Sequence, residues 1–302
     1  MVDRNVNIEI DPESCVGCGF CITACPSDTL AMKNARAVVA GDHSLSCGHC
    51  EAVCPSNAIR VKSLDPDTPR FLSFKRSDRW IPFGQYDVES LVQLMRSRRS
   101  CRNYTSEPVP IELLEDLVNV GVCAPSGTNS QKWTFTILPN REAVETAGNL
   151  IGNFYRKLNL LAGNAILRKF LKLIGKKTLD FYFRKYYRSV QEAIEQHDKT
   201  GRDRLFHGAT AAIVVGSRPG ASCPAEDAML ASQNILLAAH AMGLGSCLIG
   251  FAVQAMKHEK SITRKLFIPD EEDVHAVIAL GWPDETYQKV CGRKKPVIRY
   301  FS

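Results

Sequence analysis

Cys15-Val16-Gly17-Cys18-Gly19-Phe20-Cys21-Ile22-Thr23-Ala24-Cys25-Pro26 decides how the front of this chain is read. Its spacing is C-x2-C-x2-C-x3-C-P, and Cys47, Cys50, Cys54 and Pro55 repeat most of it. Three thiolates two residues apart can wrap three corners of a cube, with Gly17 and Gly19 permitting the turns this needs. Thiolates are soft ligands and suit iron–sulfur clusters. In two-cluster chains with this phrase, the fourth cysteine of each run crosses to the other cluster. That pattern assigns Cys15, Cys18, Cys21 and Cys54 to one cluster, and Cys25, Cys47 and Cys50 to the other. Structural zinc reads instead as two C-x2-C pairs at a longer separation. Disulfides need an oxidising compartment, and nothing here is secretory.

The repeat lacks its eighth cysteine. Three residues before Cys47 stands Ser44, flanked by His43. Three outcomes are open: Ser44 or His43 ligates a 4Fe-4S cubane, the second cluster is a 3Fe-4S form, or a remote cysteine fills in. A histidine ligand or a three-iron form would make this centre less reducing than its partner.

At 302 residues and 45% apolar content, the chain suits one small and one ordinary domain, with a sizeable core and little disorder. Residues 1–60 carry net charge −3, from four basic and seven acidic side chains. Residues 151–205 carry +8, from thirteen basic and five acidic. The first residues lack the apolar core of a signal peptide. No run of apolar residues is long enough to span a bilayer. Clusters and free thiols point to a reducing cytoplasm. Membrane contact is not expected. Nucleic-acid binding is not expected either, because no such fold motif accompanies the basic residues.

Residues 1–61 read as the cluster module, with strands near 7–10 and 58–61 pairing at its edge. Residues 62–86, with Pro66, Pro69 and Pro82, read as an extended linker running over the next domain. Residues 87–302 form that domain. Asp87 caps a helix through Met95, and a second helix runs from Ile111 to Val122. A loop occupies 124–130. Strands are expected at 133–138, 211–215 and 275–280, and a long apolar helix at 225–242. The 225–242 stripe reads as core packing. Helices and strands do not alternate regularly, so the class is α+β.

Arg98, Arg99, Ser100 and Arg102 place three guanidiniums and a hydroxyl at a helix end, a candidate phosphate clamp. Arg-Arg-Ser-x-Arg-x-Tyr at 98–104, Ala-Pro-Ser-Gly-Thr-Asn-Ser-Gln-Lys-Trp at 124–133, Gly-Leu-Gly-Ser at 243–246 and Gly-Trp-Pro at 281–283, with Arg293 behind, resemble the FMN-dependent nitroreductase family. With the cysteine module in front, the whole resembles the ferredoxin-fused subgroup of that family. The resemblance implies a ferredoxin-like iron–sulfur module followed by an α+β sandwich, working as a homodimer with FMN at the subunit interface. By position, Arg98, Ser100 and Arg102 would hold the FMN phosphate, with Arg99 near it and Arg293 approaching from the C-terminal segment. Pro125, Ser126, Gly127 and Asn129 would line the flavin, from the same subunit or the partner. Leu248, Ile249 and Gly250 would offer a backbone N–H to the flavin N5 edge. Independently, Gly127 would let backbone approach a planar ligand, and Asn129 can donate and accept towards a pyrimidine edge. Cys101 within the phosphate loop departs from the family pattern.

Residues 151–205 exceed a minimal member of that family and read as a basic, lid-like helical insertion. No residue is singled out as catalytic. The expected function is reduction of a small organic substrate (nitro, quinone, enone or halogenated) at FMN, with electrons taken through the clusters from a ferredoxin-like donor. Two alternatives stand beside it. One is an electron relay or redox sensor without its own substrate. The other is NAD(P)H oxidation with the clusters as the exit; the absence of a G-x-G-x-x-G loop after a strand argues against a built-in dinucleotide domain.

Overall fold

A computed structural model describes residues 5–301. The first four residues, part of the stretch read as lacking a signal-peptide core, lie outside the described residues.

In the front module, strand β1 (Ile8–Ile10) and strand β4 (Ile59–Val61) pair antiparallel, Ile8 opposite Val61, as the sequence led us to expect. Between them lie a hairpin, β2 (Leu30–Lys33) with β3 (Arg36–Val39), and two short helices, α1 (Phe20–Ala24) and α2 (His49–Ala52). Each helix follows a glycine in the left-handed region, Gly19 at φ 77° and Gly48 at φ 75°. A side chain there would be strained, so the glycine inside each cysteine run is what lets the chain turn between its thiols. Leu30, Ala37, Ile59 and Val61 pack beneath the cysteines as a small separate core.

The second domain is built on helix α3 (Val88–Ser97), helix α4 (Ile111–Gly121), strand β5 (Trp133–Leu138), helices α5 (Arg141–Gly163), α6 (Ala165–Leu173), α7 (Thr178–Lys185) and α8 (Tyr187–Thr200), strand β6 (Ala211–Ser217), helix α9 (Pro224–Ala241), strand β7 (Gly245–Leu248), helices α10 (Gly250–His258) and α11 (Lys260–Lys265), and strand β8 (Asp273–Gly281). Asp87 caps α3 by accepting from the backbone of Glu89 and Ser90. The strands form one antiparallel sheet in the order β5-β6-β8-β7. Successive side chains of a strand point to opposite faces. Accordingly Ala212, Val214, Val277 and Ala279 face α5, α8, α10 and α11, while Ala211, Ile213, Val215 and Ile278 face α4 and α9. Both faces are covered, which explains the unbroken apolar run at 211–215. The helix at 225–242 is packing, as expected: Ala228, Ala231, Ile235 and Ala239 are fully buried.

The basic segment is divided differently from the expected 151–205 insertion. Helix α5 starts at Arg141, and its Val144, Ala147, Ile151, Tyr155 and Ala162 belong to the main core, as does Val190 of α8. These residues build the domain rather than cover it. Of the four helices in this segment, α6 alone buries no described residue.

The linker does run over the second domain, and one carboxylate holds it there. Asp116 of α4, fully buried, accepts from the backbone N–H groups of Leu72 and Ser73, both at 2.7 Å, and from the Ser73 hydroxyl. Burial pushes the Asp116 pKa up, but the bonds from Ser73 and Leu72 outweigh it and hold it below the ordinary carboxylate value. Asp116→Ala orphans two amides and should cost about 1–3 kcal/mol in urea unfolding. Because the folded pKa is lowered, this stabilisation is full above about pH 4 and is lost as pH falls through the lowered value. The protection of the Leu72 and Ser73 amides, measured as exchange relative to the intrinsic rate at the same pH, should therefore fall on acidification in the native chain and be low at all pH in Asp116→Ala.

Candidate functional site

The cysteines gather around two small cavities. One is lined by Cys15, Cys18, Cys21 and Cys54. The other is lined by Cys25, Cys47, Cys50 and Ser44. The last cysteine of each run therefore stands with three positions of the other run. Burial, with Cys25 and Cys47 close by, pushes the Cys50 thiol up to about 11. Burial, with Cys15 and Cys18, raises Cys21. Burial acts upward on Cys54 too, but backbone and side-chain hydrogen bonds outweigh it, among them the Ala58 N–H at 3.2 Å from its sulfur. Crowded thiolates of this kind need a cationic core. Zinc would hold four sulfurs at about 2.3 Å, hence about 3.8 Å from one another. Among the described residues no group of three His, Cys, Asp or Glu converges in that way. Thiols spread around a cavity fit a larger cluster.

Ser44 and His43 part company here. Ser44 is 5% exposed, lines the second cavity, and its Oγ accepts from the Ser46 N–H at 3.0 Å. His43 leaves its ring half in solvent, 3.1 Å from Asp42. No cysteine from outside the two runs lines either cavity.

The clamp residues follow α3. Arg98 caps its C-terminus, and Ser100 bridges to Ser246 of β7. Burial pushes the Cys247 thiol up, while the charges of Arg102 and Arg98 and the Ser100 hydroxyl pull the other way, so these three groups lie near the Cys247 thiol. Among the described residues, Arg98, Arg99 and Arg102 form no ion pair, and the buried Ser246 Oγ has no partner. The guanidiniums of Arg98 and Arg102, free of ion pairs and close to the Ser100 hydroxyl and the Cys247 thiol, fit a phosphate-bearing ligand. Cys101 does not disturb this, because it points inward at 3% exposure and bonds the Asn103 carbonyl.

At the end of β7, Gly250 begins α10 with open space above its Cα, and an N-terminal helical N–H has no partner within its helix. Ile249 does not share this role. It is 5% exposed, and its N–H is already given to the Val277 carbonyl at 2.8 Å. Leu248 is exposed. Arg293 lies exposed on the irregular C-terminal tail and forms no ion pair there. A cleft of about 470 Å³ between α5 and α8 reaches Phe251, next to Gly250.

The loop at 124–131 is ordered by a residue that sequence reading left in the core. Asp227 of α9, 3% exposed, accepts from the Gly127 N–H at 2.8 Å, and its backbone carbonyl accepts from Trp133 Nε1 at 3.2 Å. A buried acid needs such partners, but an acid in the first turn of a helix is ordinary, so nothing marked it. The loop carries two further constraints. A Cβ on Gly127 would sit 2.9 Å from Cys223 Sγ, so packing by itself already requires the glycine. Asn129 gives Nδ2 to the Ser46 carbonyl at 2.8 Å, while its Oδ1 accepts from Gln131, so its amide is committed to the cluster loop. Ser126 accepts from the Gln131 N–H, and Pro125 lies exposed beside it.

The two halves of the site lie at opposite edges of the sheet. The clamp and Gly250 border β7, and the loop leads into β5. Three strand spacings, about 14 Å, separate the edges.

Residues 95–282 match the nitroreductase family, and residues 7–60 match the 4Fe-4S dicluster domain. The chain is 29% identical over 209 residues to the chloronitrobenzene nitroreductase of Comamonas testosteroni, covering 64% of this chain and 86% of that one. It is 21% identical over 213 residues to the iodotyrosine deiodinase of Thermotoga neapolitana, covering 70% and 98%. Its fold is similar to a nitroreductase with bound FMN from Bacteroides fragilis, with a TM-score of 0.50 and 19% identity over 70% of this chain and 98% of that one.

Crossed ligation is testable by substitution. Cys54→Ala should remove the cluster of the first run and leave the EPR signal of the other, whereas Cys25→Ala should do the reverse. Loss of the second-run cluster in Cys54→Ala would show that ligation is not crossed.

Proposed function

The chain belongs to the nitroreductase family, and from that premise we propose that it is an FMN-dependent oxidoreductase that receives single electrons through its own 4Fe-4S module. The observation that carries this reading is the bond from Asn129 to the Ser46 carbonyl, one residue before Cys47, which fastens the second cluster's loop to the loop read as lining the flavin. When bound, FMN supplies both one-electron and two-electron exchange, and the clusters supply electrons singly.

In this reading, Arg98, Ser100 and Arg102 grip the FMN phosphate, with Arg99 beside them. The Gly250 N–H donates to the flavin edge. Pro125, Ser126 and Gly127 reach the flavin from a second copy, since the two halves of one chain stand on opposite sheet edges, and Asn129 anchors that loop to the cluster module. A homodimer related by a two-fold axis brings each loop to its partner's β7. The exposed apolar residues of α3 (Val88, Leu91, Val92, Met95) and of the tail (Val297, Ile298, Tyr300, Phe301) are available to such an interface. Arg293 then acts where the tail is seated. Ser44 supplies the oxygen ligand of the second cluster, which fits its buried place on that cavity. The donor is a small ferredoxin-like carrier, and the substrate is a small nitro, quinone, enone or halogenated compound taken up beside Phe251.

The test is composition followed by reduction. Anaerobically purified protein should hold one FMN per chain and two clusters, and reduced ferredoxin should reduce the flavin faster than NAD(P)H does. Asn129→Ala should keep iron and flavin content but slow flavin reduction by ferredoxin. Flavin reduction by NAD(P)H that outpaces ferredoxin would overturn the proposed direction. Iron without flavin would overturn the enzyme reading.

A further inference from the structure

Helix α6 and the turn after it carry a surface that neither the core nor the flavin site uses. Ile166, Phe170 and Leu173 recur at helical spacing along one face, and they are 82%, 57% and 86% exposed. On the neighbouring elements, Leu160 and Leu161 at the end of α5, Ile174 after α6, and Phe181 of α7 are exposed as well. Single exposed apolar residues are ordinary on a protein surface; a contiguous group with a polar rim marks an interaction site.

The rim is basic throughout. Residues 164–177 contain Arg168, Lys169, Lys172, Lys176 and Lys177 and no acidic residue. Arg168 turns inward, over the Phe183 ring at 3.6 Å and onto the Ala162 carbonyl, and so fastens α6 to α7. Lys172 stands 3.9 Å from Asp180, whose closer partner is Arg184. Lys169, Lys176 and Lys177 are exposed and form no ion pair among the described residues. This surface bears on the expectation of no membrane contact. That expectation rests on the absence of a spanning segment, and no described helix is long and apolar enough to cross a membrane. A helix with one apolar face and a lysine-rich border instead lies in the plane of an anionic lipid surface.

We propose that α6 and the 174–177 turn dock this protein peripherally on an anionic membrane surface, with Ile166, Phe170 and Leu173 entering the headgroup boundary and Lys169, Lys176 and Lys177 facing lipid phosphates. A second copy does not suit this face, because a two-fold axis through it would set the same unpaired lysines against one another. Anionic lipid answers both features at once, offering acyl chains to the stripe and negative charge to the rim. The inference stands apart from the identity of the donor and the substrate.

The full-length, cofactor-loaded protein would be sedimented with phosphatidylglycerol vesicles and, separately, with phosphatidylcholine vesicles. Binding to the anionic vesicles only, weakened by added salt, is expected. Lys169→Glu, Lys176→Glu and Lys177→Glu together should lower the partition coefficient by about a hundred-fold or more. Ile166→Ser, Phe170→Ser and Leu173→Ser together should abolish binding. All six positions are exposed, so iron and flavin content and turnover with a soluble substrate should stay as in the parent. No binding to either vesicle, or equal binding by parent and lysine variant, would overturn the proposal. A change of oligomeric mass in the apolar variant would assign the face to a second copy. Capture of an acidic electron carrier by α6, lost in the lysine variant without any vesicle binding, would assign it to that carrier.

Discussion

Two buried carboxylates hold the front of this protein to its back. Asp116 accepts the amides of the linker and Asp227 orders the loop that touches the cluster module. Neither acid has a cationic partner among the described residues; each is stabilised by N–H and O–H donors. Placing such a group in the core costs several kcal/mol unless its oxygens are satisfied. The arrangement is therefore sharply conditional: each acid is tolerated only while the segment it holds is in place. The sheet supplies the rigid frame, and these two groups decide what is attached to it and where.

The sheet itself follows from short-range rules. Strand β6 is apolar on both sides because helices cover both faces, and its neighbours are antiparallel because no crossover helix returns a strand in the same direction. That much was legible in the run at 211–215 and in the irregular order of elements. The cluster module was legible almost residue by residue, because cysteine spacing is a direct record of which thiols can share a centre. The clamp at 98–102 was visible as a charge cluster at a helix end.

What escaped the sequence was long-range. Asp227 and Asp116 read as ordinary helix residues, since their partners lie 100 and 44 positions away at Gly127 and Leu72. A further constraint on Gly127 was hidden for the same reason: it comes from Cys223, on another segment. Ile249 looked equivalent to Gly250 until β8 claimed its amide. The lid-like reading of residues 151–205 took in core residues because α5 and α8 show a helical period, and a helix alternates faces whether it lines a core or covers a site. Composition marked the region as unusual, and only its packing separated the core helices from the one that stands clear.

The hold of Asp116 on the linker bears on how the two domains meet. A flexible tether of 25 residues, the length of 62–86, would spread its ends by about 28 Å and present the cluster module at a millimolar local concentration. Transfer would then wait on diffusion of one domain to the other and would slow in a viscous medium. With the linker pinned at Leu72 and Ser73 and the cluster loop pinned at Ser46, that search is removed. In the proposed reading, passage between the two halves then depends on one fixed geometry rather than on a search, and the length of the linker matters only insofar as it reaches its anchor.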